Sequence, residues 1–390
     1  MPVKDKSKQK IGIIGGGQLG KMMILAAKAM GFYVTILDPT PDCPAASIAD
    51  QHLKADFSDQ AAIKKLAAKS DLITYEFEHI EVEVLKELEA AGYKIYPTAR
   101  SLEIIQNKYH QKTVLKQAQI PVPDFIKIAS LADLKTAAIK FGYPLMLKSC
   151  RGGYDGKGNY LIKAASELET AFAELGAGGK QLLAEKYIPF QKEISVIAAR
   201  GQGGEMVVYP IAENEHQNNI LLTTRVPAAL PDQLKYSAEQ LAREVLEIFA
   251  GVGIFCIEMF VTDSAQLLIN EIAPRPHNSG HYSIEGCYTS QFEQHIRAIA
   301  GLPLGNPELI RPTVMCNILG SGQQGAAEVI GLQEALKLAN VKVHIYQKKI
   351  SRPGRKMGHL TATASNLSEA AHQASQAEKV IMIRGKEDSQ

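Results

Sequence analysis

The first hundred residues alternate short apolar runs with helical periods: apolar at 11–14, helical at 19–30, apolar at 33–37, helical at 61–69, apolar at 72–75 and helical at 82–91. Strands separated by helices of this length do not pair as hairpins, so the pattern predicts a parallel α/β sheet with right-handed crossovers. Pro97, Pro121 and Pro123 punctuate the chain around a helical pair at about 98–118, which puts the end of this first unit, 1–105, near the start of that pair. From residue 145 the pattern changes to glycine loops and β runs at 193–199, 205–209, 253–262 and 266–272, as expected of an α+β unit with an antiparallel sheet over 106–305. Beyond Gly301-Leu-Pro-Leu-Gly305 a smaller unit, 306–390, offers strands near 313–319, 342–347 and 379–383 and helices near 325–338 and 367–376. The 390 residues, at roughly 150 per domain, agree with two or three compact units.

A hydrophobic content of 46% supplies real cores and excludes intrinsic disorder. Lysine and arginine number 43 against 41 acidic residues, and a formal charge of +2 creates no field to gather nucleic acid or an anionic membrane. Any anionic ligand is therefore held by local chemistry. The apolar run at 248–257 is about half of what a membrane span needs, and two glycines interrupt it. The basic start at 1–10 leads into glycines rather than into the apolar core of a secretory leader. Five cysteines (Cys43, Cys150, Cys256, Cys287, Cys316) stand far apart with no CxxC, which fits a reducing compartment. A soluble, cytoplasmic chain is expected.

The first strand runs into GGGQLG, which contains GxGxxG at Gly15, Gly17 and Gly20, with Asp38 closing the second strand. Such glycines let a backbone approach an anion at a helix N-terminus, and the acidic residue suits ribose hydroxyls. A dinucleotide, another phosphorylated ligand and a plain tight turn all satisfy this pattern. A second loop, Cys150-Arg-Gly-Gly-Tyr-Asp-Gly-Lys-Gly-Asn159, follows a strand ending in Lys148 and carries four glycines in seven residues. It lacks GxxxxGK[ST], so it is no Walker loop; it suits closure over phosphates or, failing that, a solvated hairpin.

The hairpin of 255–272 turns near Asp263 and Ser264, which brings Glu258 opposite or nearly opposite Glu271. Period two places Glu258 on the face of Cys256 and Phe260, and Glu271 on the face of Leu267 and Ile269. Two carboxylates about 4 Å apart repel by roughly 4 kcal/mol at an effective dielectric of 20. A divalent cation relieves that conflict, and the Asn270 amide oxygen adds a third hard donor. The alternative is a solvent-facing edge with two harmless glutamates. Between loop and hairpin, Glu185, Lys186, Tyr187 and Ile188 run into a proline-bent linker that can offer backbone groups to an adenine edge, with Glu193 near enough for ribose hydroxyls.

The segments GGGQLG, TYEFEH, GGYDGKGN, EKYIPF, INEIAPRPHNSGHYS and RPGRKMGH, in this order, resemble the ATP-grasp superfamily and within it the family that carboxylates aminoimidazole ribonucleotide in purine biosynthesis. The likeness covers nearly the whole chain beyond the first ten residues. It implies an N-terminal pre-ATP-grasp, Rossmann-like domain, an ATP-grasp nucleotide-binding domain and a small C-terminal domain. It also implies ATP, bicarbonate and aminoimidazole ribonucleotide as substrates, Mg2+ or Mn2+ as the metal, a homodimer, and hand-over of product to a mutase.

Carried over by motif, Lys108 and Lys148 contact ATP, while Gly153, Tyr154, Asp155, Gly156, Lys157, Gly158 and Asn159 cover its phosphates. Glu185, Lys186, Tyr187, Ile188 and Glu193 hold adenine and ribose, His216 and Asn270 add nucleotide contacts, and Glu258 and Glu271 bind the metal. The implied chemistry is phosphorylation of bicarbonate to carboxyphosphate and capture by the amine, with Lys148, Arg275 and His281 catalytic and Asp155 and Lys157 also reaching substrate. The ribonucleotide phosphate would meet Gly16, Gly17, Gln18 and Leu19 and the cations Arg352, Arg355 and Lys356, with Glu76 at the strand end also on the substrate. A dehydrogenase would leave the glutamate pair and the second loop idle. A sister ATP-grasp ligase would keep the nucleotide site with other substrate contacts, and a non-catalytic nucleotide-binding subunit is the third class.

Overall fold

The computed structural model describes residues 9–153, 158–176 and 179–386. The first layer is the expected parallel sheet. Its strands are β1 (Lys10–Ile14), β2 (Tyr33–Leu37), β3 (Gln51–Leu53) and β4 (Leu72–Tyr75), in the order β3-β2-β1-β4. Helices α1 (Gln18–Ala29) and α2 (Gln60–Ala68) make crossovers, and α3 (Val82–Ala90) follows β4 and leads to a parallel bridge of Ile95 with Ile73. The three-residue β3 has no sequence signature, because none of its side chains is buried. Gly15 sits at φ +110°, and a side chain at Gly20 would stand 2.6 Å from the Gly15 carbonyl, so the first loop needs both glycines to close.

Two short helices, α4 (Ala99–Ile105) and α5 (Lys108–Gln117), lead out of this layer. The Asn107 side chain caps α5 by accepting from the N–H groups of Tyr109 and His110. A separate four-stranded antiparallel sheet follows, built from β5 (Phe125–Ile128), β6 (Leu145–Ser149), β7 (Asn159–Ile162) and β8 (Leu182–Lys186) in the order β5-β8-β6-β7. Helices α6 (Leu131–Phe141) and α7 (Leu168–Gly176) cover it.

The remaining strands form one sheet of twelve. Its first part comprises β9 (Phe190–Arg200), β10 (Met206–Val208), β11 (Ala212–Gln217), β12 (Ile220–Val226), β13 (Gly253–Thr262) and β14 (Leu267–Ala273), in the order β14-β13-β9-β11-β12, with β10 beside β9. The long helix α8 (Asp232–Phe249) buries Val245, Leu246 and Phe249 against Val196, Phe255 and Ile257. After the short α9 (Ser283–Gly286), helix α10 (Gln291–Ala300) joins the first layer to this core: Phe292, Ile296 and Ile299 share one cluster with Met23, Ile24 and Val34.

The sheet continues without a break into the last unit. Strand β15 (Thr313–Ser321) pairs antiparallel with β12, so the boundary expected near 305 falls inside one hydrogen-bonded sheet. Beyond it lie β16 (Gly325–Ile330), α11 (Leu332–Leu336), β17 (Val341–Ile345), β18 (Ile350–Ser351), β19 (Lys356–Thr363), α12 (Leu367–Val380) and β20 (Met382–Gly385). The helix expected over 325–338 is a strand followed by a five-residue helix. Gly331, at φ +74°, breaks the chain between them, and Val329 and Ile330 pair with β20. Of the three cations expected at the ribonucleotide phosphate, Arg352 and Arg355 precede β19 and Lys356 begins it.

Candidate active site

The three layers enclose a cleft of about 1160 Å3. Its floor is one face of the twelve-stranded sheet. Register places Glu258 of β13 beside Ser195 of β9, and Phe260 beside Glu193, which in turn faces Asn214 of β11. The hairpin pairs Glu258 with Glu271 as expected, but by a different route. Its turn closes over three residues, 263–265, with Ala265 at φ 59°, and a β-bulge at Asn270 then shifts the register by one. Asn270 and Glu271 therefore both project into the cleft, and Glu271 does not share the face of Leu267 and Ile269 as simple alternation requires.

Around this pair stands a lattice of buried charge. Lys108 and Lys112, four residues apart on α5, point the same way. Lys108 Nζ lies 2.6 Å from Glu271, and Lys112 Nζ lies 3.2 Å from Glu185. Lys148 of β6 reaches Glu185 of β8 across the sheet diagonal at 2.7 Å and donates to Asn270 Oδ1 at 3.3 Å. Burial opposes ionisation of Glu185, but the two lysines overcome it and hold its carboxyl down at about 2. Burial wins at Lys112, which falls to about 8. Lys108 stays above its ordinary range, because Glu271 outweighs the desolvation that would lower it, and Glu271 in turn is held down by Lys108.

Glu258 has no such lysine. Burial, with Glu271 and Glu193 nearby, pushes it up to about 7, and its nearest basic neighbour is His277 Nε2 at 3.7 Å. His216 Nδ1 sits 2.6 Å from Glu193, which raises the imidazole pKa against the effect of burial. Arg275 is buried and pairs with Glu78 at 2.9 Å.

The sequence-derived nucleotide set converges on this cleft: Lys108, Lys148, Gly153, Asn159, Glu185, Lys186, Tyr187, Ile188, Glu193, His216, Glu258, Asn270 and Glu271 all line it. Tyr154, Asp155, Gly156 and Lys157 lie outside the described residues. Gly158 stands at the loop base, where its carbonyl accepts from Ser149 N–H, and it crosses close to Gly153.

Other expectations are corrected. His281 is fully buried beneath the cleft, 3.2 Å from the Gln291 amide and packed among Phe292, Tyr346 and His359, so it does not line the cleft; His277 does. Arg352 and Arg355 stay outside the cleft, and Arg355 instead donates to the Ile350 carbonyl. Lys356 does line it, as does Lys348, which sequence reading missed in a run of two lysines. Lys112 was also missed, although its spacing of four from Lys108 on a helix is a usable signal.

At the first glycine loop the anion is internal. Gly17 and Gly20 donate their N–H groups to the Glu76 carboxylate at 2.6 Å each, and Gly16 donates to Asp38 at 2.8 Å. Asp38 thus supports the loop, which removes the residue that a dinucleotide would need for its ribose. Gln18, Leu19, Glu76 and Gly17 border the cleft, while Gly16 lies behind it.

Three family models match consecutive stretches: the ribonucleotide synthetase preATP-grasp domain over 8–106, the ATP-grasp domain over 113–292 and the phosphoribosylaminoimidazole carboxylase C-terminal domain over 313–373. Fold, cleft and matches together define an ATP-grasp ligase. The chain is 44% identical over 351 residues to the N5-carboxyaminoimidazole ribonucleotide synthase of Bacillus subtilis, covering 90% of each chain. It superposes on the N5-carboxyaminoimidazole ribonucleotide synthetase of Thermotoga maritima with a TM-score of 0.89 at 45% identity, over 97% of this chain and 100% of that one. The Aspergillus clavatus N5-carboxyaminoimidazole synthase, solved with ADP and 5-aminoimidazole ribonucleotide, superposes at 0.88 with 33% identity over 96% and 99%. The chain belongs to the N5-carboxyaminoimidazole ribonucleotide synthase family. Its activity is conversion of 5-aminoimidazole ribonucleotide, with ATP and bicarbonate, to the N5-carboxyamino product in purine biosynthesis. Among the described residues no helix is long and apolar enough to cross a membrane.

Proposed function

We propose that the nucleotide lies between the two antiparallel sheets, with its phosphates toward Lys108, Lys148 and the loop of 153–159 and its base against Glu185, Lys186, Tyr187 and Ile188. The observation that carries this reading is the bulge at Asn270, which aims Asn270 and Glu271 into the cleft beside Glu258 and the two lysines. These three residues offer hard oxygen donors of the kind Mg2+ or Mn2+ takes alongside phosphates, and Glu258, raised to about 7, is the carboxyl that gains most from a cation. Bound there, the metal supplies charge neutralisation of the transferring phosphoryl group.

Lys148 is placed to stabilise charge that develops as bicarbonate takes the γ-phosphoryl group to become carboxyphosphate. Glu185 keeps that ammonium fixed in position. Arg275, anchored on Glu78, and His277 sit beyond the metal ligands, where bicarbonate would be oriented. The amine of aminoimidazole ribonucleotide then attacks the activated carbon or carbon dioxide released from it, while the glycine loop excludes water that would hydrolyse the intermediate. Lys356, Lys348 and the α1 N-terminus at Gln18 and Leu19 line the end of the cleft assigned to the ribonucleotide, and Glu76 holds the loop that shapes it.

In the same reading the enzyme works in the cytoplasm as a homodimer and passes its product to a mutase; five free, buried cysteines fit a reducing compartment. ATP turnover measured with and without aminoimidazole ribonucleotide and bicarbonate tests the assignment. Glu271→Gln should lower turnover at moderate Mg2+ by roughly 100-fold, in the range seen when one preorganised electrostatic group is lost. Near-normal turnover would refute the metal assignment.

A further inference from the structure

Beneath Glu258 the same strand carries a donor that phosphoryl transfer does not use. Cys256 and Glu258, two apart on β13, face the same way, and His277 in the segment after β14 closes on them. The Cys256 sulfur, a Glu258 oxygen and a His277 nitrogen all lie within 4.8 Å of one another, the one such cluster among the described residues. Ser279 ties the arrangement together: its hydroxyl is 3.6 Å from Cys256 Sγ and 2.9 Å from His277 Nδ1. That second bond fixes the ring so that Nε2 faces Glu258. Nδ1 also accepts from the Ser279 N–H at 3.3 Å, so coordination through Nε2 moves the ring proton to Nδ1, where the Ser279 hydroxyl accepts it.

We propose that Cys256, His277 and Glu258 form a site for a thiophilic divalent cation, with Zn2+ as the type case, and that its occupation shuts the enzyme off by withdrawing Glu258 from the metal that accompanies ATP. The donor set decides the cation. One thiolate, one imidazole and one carboxylate with a fourth position open to the cleft is a Zn2+ arrangement, whereas Mg2+ takes oxygen ligands and disfavours sulfur. Glu258 and His277 are partly exposed to the cleft, so a cation enters from there, while Cys256 is reached only through them. Binding forms a metal–sulfur bond and releases the thiol proton to water; no redox step is involved. Because Glu258 cannot serve both cations, the two are competitive. The inhibitory half of the proposal rests on the metal assignment given under Proposed function; the site itself does not.

The test uses the full chain, with free metal set by a metal buffer. Titration with Co2+ alone should produce a thiolate-to-cobalt charge-transfer absorption that saturates at one ion per chain and is displaced by Zn2+. Absence of that band overturns the site, and this measurement on the unmodified protein needs no variant. Cys256→Ala should remove the band, keep Mg2+-supported turnover within about twofold, and raise the free Zn2+ needed for half-inhibition at least tenfold. Equal Zn2+ sensitivity in the variant overturns the role of Cys256. A band with no loss of turnover overturns the shared use of Glu258, and with it the metal assignment, while leaving the cobalt site standing.

Discussion

Glu185 is one carboxylate serving two ammonium groups in a nearly dry setting: its side chain is 3% exposed, that of Lys112 2% and that of Lys148 11%. A fall in its pKa from an ordinary 4.5 to about 2 corresponds to roughly 3 kcal/mol in favour of the folded, ionised form. That contribution is present at neutral pH and is lost as pH drops from about 4.5 through about 2. Lys112 works in the opposite sense. Its fall from 10.5 to about 8 means that burying the ammonium costs a similar roughly 3 kcal/mol below pH 8, a cost relieved as pH rises through 8 toward 10.5.

The two single substitutions should therefore be strongly unequal. Glu185→Gln leaves two buried ammonium groups facing each other and should cost about 3–5 kcal/mol. Lys112→Met removes the cation that burial opposes and leaves the 2.7 Å Lys148–Glu185 pair intact. It gives up the 3.2 Å pairing with Glu185 in return for relief of a cation that burial opposes, and it loses the donor to the Asn270 carbonyl at 3.0 Å, the latter worth about 1–2 kcal/mol. The chain has no tryptophan, so urea unfolding is best followed by far-ultraviolet circular dichroism. A Lys112→Met variant as destabilised as Glu185→Gln would refute the view that the carboxylate, and not the lysine count, holds this triad together.

Two further predictions concern ligands. Glu258 must ionise to bind a cation, and with its pKa at about 7 apparent Mg2+ affinity should fall about tenfold per pH unit below 7; calorimetric titration of Glu258→Gln, which should bind weakly with no such slope, checks this. Lys356→Ala should raise KM for aminoimidazole ribonucleotide tenfold or more and leave KM for ATP unchanged, whereas Arg352→Ala and Arg355→Ala should alter neither; steady-state kinetics with an effect of Arg355→Ala equal to that of Lys356→Ala would contradict the cleft assignment.

Much of this was readable from residues because the information was local. The parallel layer followed from apolar runs alternating with helical periods, and the turn near Asp263 brought Glu258 close to Glu271, although their direct pairing needs the third turn residue and the bulge. The side on which Glu271 emerges did not, since a bulge at Asn270 leaves no mark in hydrophobic alternation and reverses the outcome from that point on. His281 was misplaced for a related reason: in HNSGH the two histidines stand four apart on a short turn, and only packing against Phe292 and His359 decides which one goes under the floor. The cations of 351–359 divided on strand geometry, as Lys356 begins β19 while Arg352 and Arg355 precede it. The carboxylate inside the first glycine loop was invisible because Glu76 is about sixty residues away from it.

The unbroken pairing of β12 with β15 also bears on how this chain can be taken apart. A fragment ending near residue 305 would leave 223–226 of β12 with a bare row of N–H and C=O groups where Thr313, Val314, Met315 and Cys316 now dock. Raw sheet edges recruit other chains. The nucleotide-binding part, expressed without its last eighty-odd residues, would therefore be driven toward self-association, and supplying the missing segment in trans would restore it by strand addition rather than by surface docking.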